Sequence, residues 1–101
     1  MGVKVVWSEP AVADLDAALA FVAFDHPEAA RGLWRQVRAA TRSLRRFPMK
    51  GRMVPEYQDP AIRELIIGPF RIIYTTEDPG SATILAAVRA ERPLAPEPPE
   101  R

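Results

Sequence analysis

The chain has 101 residues, 48% of them apolar, with fourteen basic and thirteen acidic side chains. That is enough for one domain with its own core and too little for two. It contains no cysteine and one histidine, which excludes disulfides, thiolate metal sites, cysteine nucleophiles and Ser/His catalysis, and no metal or cofactor is expected. No apolar run approaches the ~18 residues of a membrane span and the N-terminus lacks a signal-peptide core, so the expectation is a cytoplasmic protein without a membrane partner.

Val3 to Trp7 is rich in β-branched residues and predicts a short strand. Ser8 is a plausible N-cap, with Pro10 tolerated in the first turn of the helix that follows. Val12, Leu15, Leu19 and Val22 recur at helical spacing, predicting a helix over 9–24. His26 precedes Pro27, which pushes it out of the helical region and makes it a cap or turn residue. Pro27 suits the first position of a second helix over 27–47, whose apolar set is Ala30, Leu33, Val37, Ala40, Leu44 and Phe47. The short connection predicts an antiparallel helical hairpin.

Met49 to Pro60 reads as a linker. Strand signals then take over at 62–67, 70–76 and 83–90. Gly68-Pro69 and Asp78-Pro79-Gly80-Ser81 supply the turns, and connections this short demand antiparallel hairpins. A two-residue turn at Gly68-Pro69 sets Arg63 opposite Tyr74 and Arg71 opposite Ile66, on opposite faces of the sheet; a single bulge would bring the two arginines together. Pro93, Pro96, Pro98 and Pro99 bar the chain end from a sheet interior. The fold class is α+β, ordered β-α-α-β-β-β. It is expected as an antiparallel four-stranded sheet with the helical hairpin on one face, in a domain over 1–94 with a Pro-rich tail over 95–101.

Charge is segregated along the chain. Residues 27–56 hold eight basic side chains against Glu28 and Glu56, a surplus of six, while the rest carries an acidic surplus of five. At ~100° per residue, Arg31, Arg35, Arg38, Arg42 and Arg45 fall in a narrow arc away from the apolar stripe. Such asymmetry reads either as a solvated helix face or as a surface for an anionic partner. Trp34, at the margin of the stripe, is either core or a partly exposed anchor.

Three motifs now stand in order: Gly51-Arg52-Met53-Val54-Pro55-Glu56, Arg63-Glu64-Leu65-Ile66 and Phe70-Arg71-Ile72-Ile73-Tyr74. With Trp7, Ser8, Ala11, Asp14-Leu15 and Pro27-Glu28-Ala29-Ala30 before them, the chain up to about Leu94 resembles the RelE/ParE toxins of type II toxin–antitoxin systems. The resemblance implies a small toxin neutralised by a cognate antitoxin in a hetero-oligomer. RelE-like members cleave mRNA on the ribosome and ParE-like members poison DNA gyrase; a third alternative is a non-toxic, antitoxin-binding regulatory component.

Cleavage of RNA through its 2′-hydroxyl needs a base, an acid and cations for the phosphate. Cations are present at Arg52, Arg63, Arg71, Arg89 and Arg92, the expected basic surface for the target. Glu56 is the candidate base, or a solvated loop carboxylate; with Arg63, Arg71 and Arg89 it forms the set a ribonuclease would use. Arg63 is alternatively a structural partner of Glu56, Asp59 or Glu64. The histidine that many members carry at the end of the last strand is absent from Val88-Arg89-Ala90-Glu91-Arg92-Pro93-Leu94, and only Lys4 and Lys50 are lysines. These departures favour the ParE-like reading. Phe24 and Trp34, near the margins of their helical stripes, are the expected antitoxin contacts.

Overall fold

The computed structural model describes residues 2–99; Met1 and the last two residues of the expected tail, Glu100 and Arg101, lie outside the described residues. Its elements are β1 (Lys4–Trp7), α1 (Glu9–Asp25), α2 (Pro27–Ser43), β2 (Arg52–Met53), β3 (Ile62–Ile67), β4 (Phe70–Thr75) and β5 (Ser81–Arg89). The Ser8 side chain caps α1, accepting from the Ala11 amide at 3.2 Å. His26 joins the helices by its backbone: its amide closes α1 on the Val22 carbonyl and its carbonyl accepts from Ala30.

Two features of the sheet correct the expected architecture. It has five strands, in the order β1-β5-β4-β3-β2, because Arg52–Met53 of the presumed linker pairs with Arg63–Glu64. It is also mixed, since β1 runs parallel to β5, with Val5 beside Ala82. Parallel pairing is possible because the long connection between β1 and β5, which holds both helices and three strands, lets the chain return to the end of the sheet where β1 begins. The remaining neighbours are antiparallel.

The second helix also ends earlier than the spacing suggested. Phe47 precedes Pro48, which disfavours the helical conformation there, and the Arg45 carbonyl accepts from the Val3 amide at 2.8 Å instead of continuing the helix. Phe47 consequently leaves the apolar stripe and is exposed. On α1 the expected stripe holds at Leu15, whereas Val12 is largely exposed and Ala11 is the fully buried residue of the first turn.

Alternation along the strands sorts side chains onto two faces. Leu65, Ile67, Phe70, Ile72, Tyr74, Ala82, Ile84 and Ala87 turn toward the hairpin, where they meet Ala11 and Leu15 of α1, Val37 of α2 and Leu44 just after it. On the other face Ile62, Ile73 and Ala86 pack with Val54, Tyr57, Val88 and Leu94. The second, smaller cluster is therefore roofed by the loop after β2 and by the start of the proline-rich segment. Gly68 makes the β3–β4 turn with φ +55, a conformation that favours glycine. The register is the one a two-residue turn dictates, with Arg63 opposite Tyr74 and Ile66 opposite Arg71. A bulge does occur, but between β4 and β5: Ile73 faces Ala86 and Tyr74 faces Ile84, leaving Leu85 as the extra residue. It therefore leaves Arg63 and Arg71 on opposite faces.

Candidate functional site

An ion cluster lies on the sheet face turned away from the helices. Glu64 of β3, with its side chain fully buried, stands directly across from Arg52 of β2 and diagonally from Arg71 of β4. Arg52 Nε donates to Glu64 Oε2 at 2.6 Å, and Arg71 Nε donates to Glu64 Oε1 at 2.6 Å. Arg71 then reaches Glu56 with both terminal nitrogens, at 2.8 and 2.9 Å, in a bidentate fork. Two carboxylates thus share one arginine that is itself buried, and Arg52 caps the arrangement from the solvent side.

The electrostatic consequence is strongest at Glu56. The hydrogen bonds from Arg71 outweigh desolvation and hold its carboxyl down to about 2. Arg71 is pushed up in turn, chiefly by its bond to Glu56. A carboxylate this acidic, with both oxygens engaged by one guanidinium, is a weak proton acceptor near neutral pH. Tyr74 is no freer. Its hydroxyl is anchored inside the protein, donating to the Pro48 carbonyl at 2.8 Å and accepting from the Gly51 amide at 2.9 Å, and burial pushes it above its ordinary value.

The other candidate arginines are distributed around this cluster. Arg63, on the helix-side face of β3 where β2 pairs with it, donates to the carbonyls of Gly51 at 2.9 Å and Pro60 at 3.0 Å. It fastens the β2 approach to β3, while the carboxylates of Glu56 and Glu64 are taken by Arg71 and Arg52. Arg89, at the end of β5, pairs with Glu91 and lies 5.5 Å from the centre of the Phe21 ring. The Glu91 carboxyl is held low by its own backbone amide and by Arg89. Arg92 follows, exposed, in the turn after β5. Structure therefore joins Arg52, Arg71 and Glu56 in one network and sets Arg63 and Arg89 apart from it.

Sequence reasoning missed Glu64 as the centre of this network. The signal was available: the register that puts Arg71 opposite Ile66 also puts Glu64 one diagonal step away on the same face. Among the described residues, no three His, Asp or Glu side chains gather in a way that could hold a metal ion. None of the described helices is long and apolar enough to cross a membrane.

Away from the sheet face, the helical hairpin carries the aromatic candidates. Phe24 is 89% exposed near the end of α1 and Trp34 is 43% exposed on α2. Trp34 lies between two shallow depressions. One is formed with Leu19, Ala20, Ala23, Pro27, Ala30 and Arg31 within the hairpin. The other runs between α2 and the outer edge of β1, rimmed by Lys4, Arg38, Arg42 and Arg45.

The backbone has solved relatives. A chain of the chromosomal ParDE toxin–antitoxin system of P. aeruginosa superposes with a TM-score of 0.72 at 24% identity, over 88% of this chain and 97% of that one. A chain of the RelBE2 toxin–antitoxin complex of Mycobacterium tuberculosis gives a TM-score of 0.59 at 18% identity, over 88% and 99%. At these identities the likeness establishes a shared fold. No curated protein matches the chain in sequence. The family described as "ParE toxin of type II toxin-antitoxin system, parDE" matches residues 5–93, which include both helices, every strand except the first residue of β1, and the whole ion cluster. The chain therefore belongs to the ParE toxin family of type II toxin–antitoxin systems.

Proposed function

We propose that this toxin acts by holding its target, not by cutting it, with DNA gyrase as the target and a cognate antitoxin as the neutralising partner. The observation that carries the reading is the bidentate capture of Glu56 by Arg71, which removes the best-placed carboxylate from proton transfer. Cleavage of RNA needs a base whose pKa lies near the working pH, and arginines shuttle protons poorly. What the sheet offers is exposed or partly exposed cations, Arg52 on the edge strand β2 and Arg89 and Arg92 at and after the end of β5, suited to contact with an acidic surface. Gyrase is the target that resemblance to ParE-like toxins implies. Both solved relatives come from toxin–antitoxin assemblies, and the exposed Phe24 and Trp34 are the proposed antitoxin contacts here.

The decisive experiment follows supercoiling by purified gyrase alongside transcript integrity in cells, for the wild type and Glu56→Gln. The binding reading expects inhibited supercoiling and induction of the DNA-damage response before translation stops, with Glu56→Gln almost as active if it folds. Charge reversal at Arg89 should weaken inhibition. Intact supercoiling with ribosome-dependent mRNA cleavage, abolished in Glu56→Gln, would instead establish a ribonuclease; no effect on either process would leave a non-toxic regulatory component. In a parallel arm, replacing Phe24 and Trp34 together by alanine should weaken antitoxin binding while unfolding stays cooperative, and unchanged affinity would remove these residues from the interface.

A further inference from the structure

One strongly charged surface plays no part in the sheet-face cluster. Arg31, Arg35, Arg38 and Arg42 project from α2, and Arg45 from the turn that follows; all five are exposed. At ~100° per residue the four on α2 occupy an arc of about 60° on the flank of the helix next to Trp34. Arg31 is paired with Glu28 at 3.1 Å. Among the described residues, Arg35, Arg38, Arg42 and Arg45 enter no salt bridge, whereas Arg52, Arg71 and Arg89 of the sheet all do. Stacking like charges three and four residues apart costs a few tenths of a kcal/mol per pair, and no acid is interleaved to relieve it. From Arg35 to Arg42 the helical part of the row spans about 10 Å along the axis, and Arg45 extends it into the turn that follows. Duplex DNA presents a phosphate about every 1.7 Å of its axis, so such a row can meet several at once. The guanidinium fork is the side chain best shaped for that anion.

We infer that the arginine row of α2 binds the phosphodiester backbone of duplex DNA without sequence preference. The choice of duplex DNA among polyanions rests on the gyrase reading; the rest of the inference rests on the row itself. An acidic peptide laid along the open edge of β1 would use a different set of groups. The groove there is bordered by Trp34, Lys4, Arg38, Arg42 and Arg45, so a peptide seated in it would leave Arg31 and Arg35 uncovered. It would also depend on the apolar floor at Trp34 and Val6, which a phosphate backbone does not need.

The test is fluorescence anisotropy of a short random-sequence duplex with the purified full chain, titrated between about 50 and 200 mM salt. The expected dissociation constant at physiological salt is in the range of about 1 to 100 µM, with a log–log salt slope of about −3 to −4 if four arginines each release one counterion. The triple variant Arg35→Gln, Arg38→Gln, Arg42→Gln should bind at least about tenfold more weakly at low salt and flatten the slope by about 2 to 3. It should keep the wild-type circular dichroism and Tm, because these side chains are exposed. Trp34→Ala should bind DNA like the wild type. The inference is overturned if the wild type fails to bind, if the triple variant binds equally well, or if single-stranded RNA is preferred over duplex. Binding that is lost in Trp34→Ala and displaced by an acidic peptide would assign the surface to a protein strand and overturn it as well. Gyrase inhibition without DNA binding would sink this inference alone. DNA binding without gyrase inhibition would sink the target assignment and leave the row's affinity for DNA intact.

Discussion

Arginines of the sheet and arginines of α2 are the same residue in opposite circumstances. Arg71 is buried, forked onto Glu56 and bonded to Glu64, and Arg52 and Arg63 lock neighbouring segments together. Arg35, Arg38 and Arg42 stand in solvent, and no described carboxylate pairs with them. The comparison teaches that a count of basic residues near a motif does not measure a binding surface. Side chains on the sheet that look like a cationic patch in sequence are in part internal fasteners, and the larger uncompensated charge is on the helix.

The contrast breaks most visibly at Arg71. Replacing it by alanine leaves Glu64 buried with Arg52 alone and frees Glu56, and loss of one partner from a buried pair costs about 3–5 kcal/mol. Urea unfolding should show that loss as a lower midpoint. A change below about 1 kcal/mol would mean the cluster is far more hydrated than its burial implies.

A second, smaller effect sharpens the comparison through pH. Glu56 titrates at about 2 in the folded chain against an ordinary 4.5, so its pairing stabilises the fold fully above pH 4.5 and is lost as pH falls toward 2. Its side chain is 40% exposed, and solvent screening limits the contribution to on the order of 1 kcal/mol. The stability difference between the wild type and Glu56→Gln should therefore be constant near neutrality and shrink in acid. A difference that grows on acidification would invert the assignment.

Least is expected from the helix. Arg38→Gln together with Arg42→Gln removes a like-charge pair four residues apart and should shift stability by less than about 0.5 kcal/mol, toward greater stability. Thermal unfolding at low salt reads this directly. A loss above about 1 kcal/mol would show that these side chains are structural after all.

Much of the scaffold was legible because its causes are local. Ser8, Pro10, the His26-Pro27 step and the Gly68-Pro69 turn each fix a boundary through their own stereochemistry, and the turn length alone set the β3–β4 register. What escaped depends on distant partners. Arg52–Met53 is too short to carry a pattern and becomes a strand only because β3 offers an edge. The parallel union of β1 with β5 joins Val5 to Ala82, a pairing that no window of sequence contains. The end of α2 was misjudged for a similar reason, since the Arg45 carbonyl is claimed by Val3. At the candidate site, residue types were found and their relationships were not. Arg71 and Glu56 were legible as charges, but their union required knowing that the loop after β2 folds back across β4.

The pairing of β1 with β5 also sets an order of events during synthesis. β1 leaves the ribosome with Val5 and Trp7 unpartnered, and its strand neighbour among the described residues, Ser81–Ile84, is made only after both helices and three further strands have emerged. Contacts this far apart in the chain form slowly because a long loop must close first. The hairpin and the antiparallel β3–β4 ribbon can assemble as they emerge, but β5, the strand that lies between β4 and β1, follows them all in chain order. A nascent or truncated chain ending before Ser81 thus lacks the seam that joins β1 to the rest of the sheet, and the fold closes only once β5 has been made.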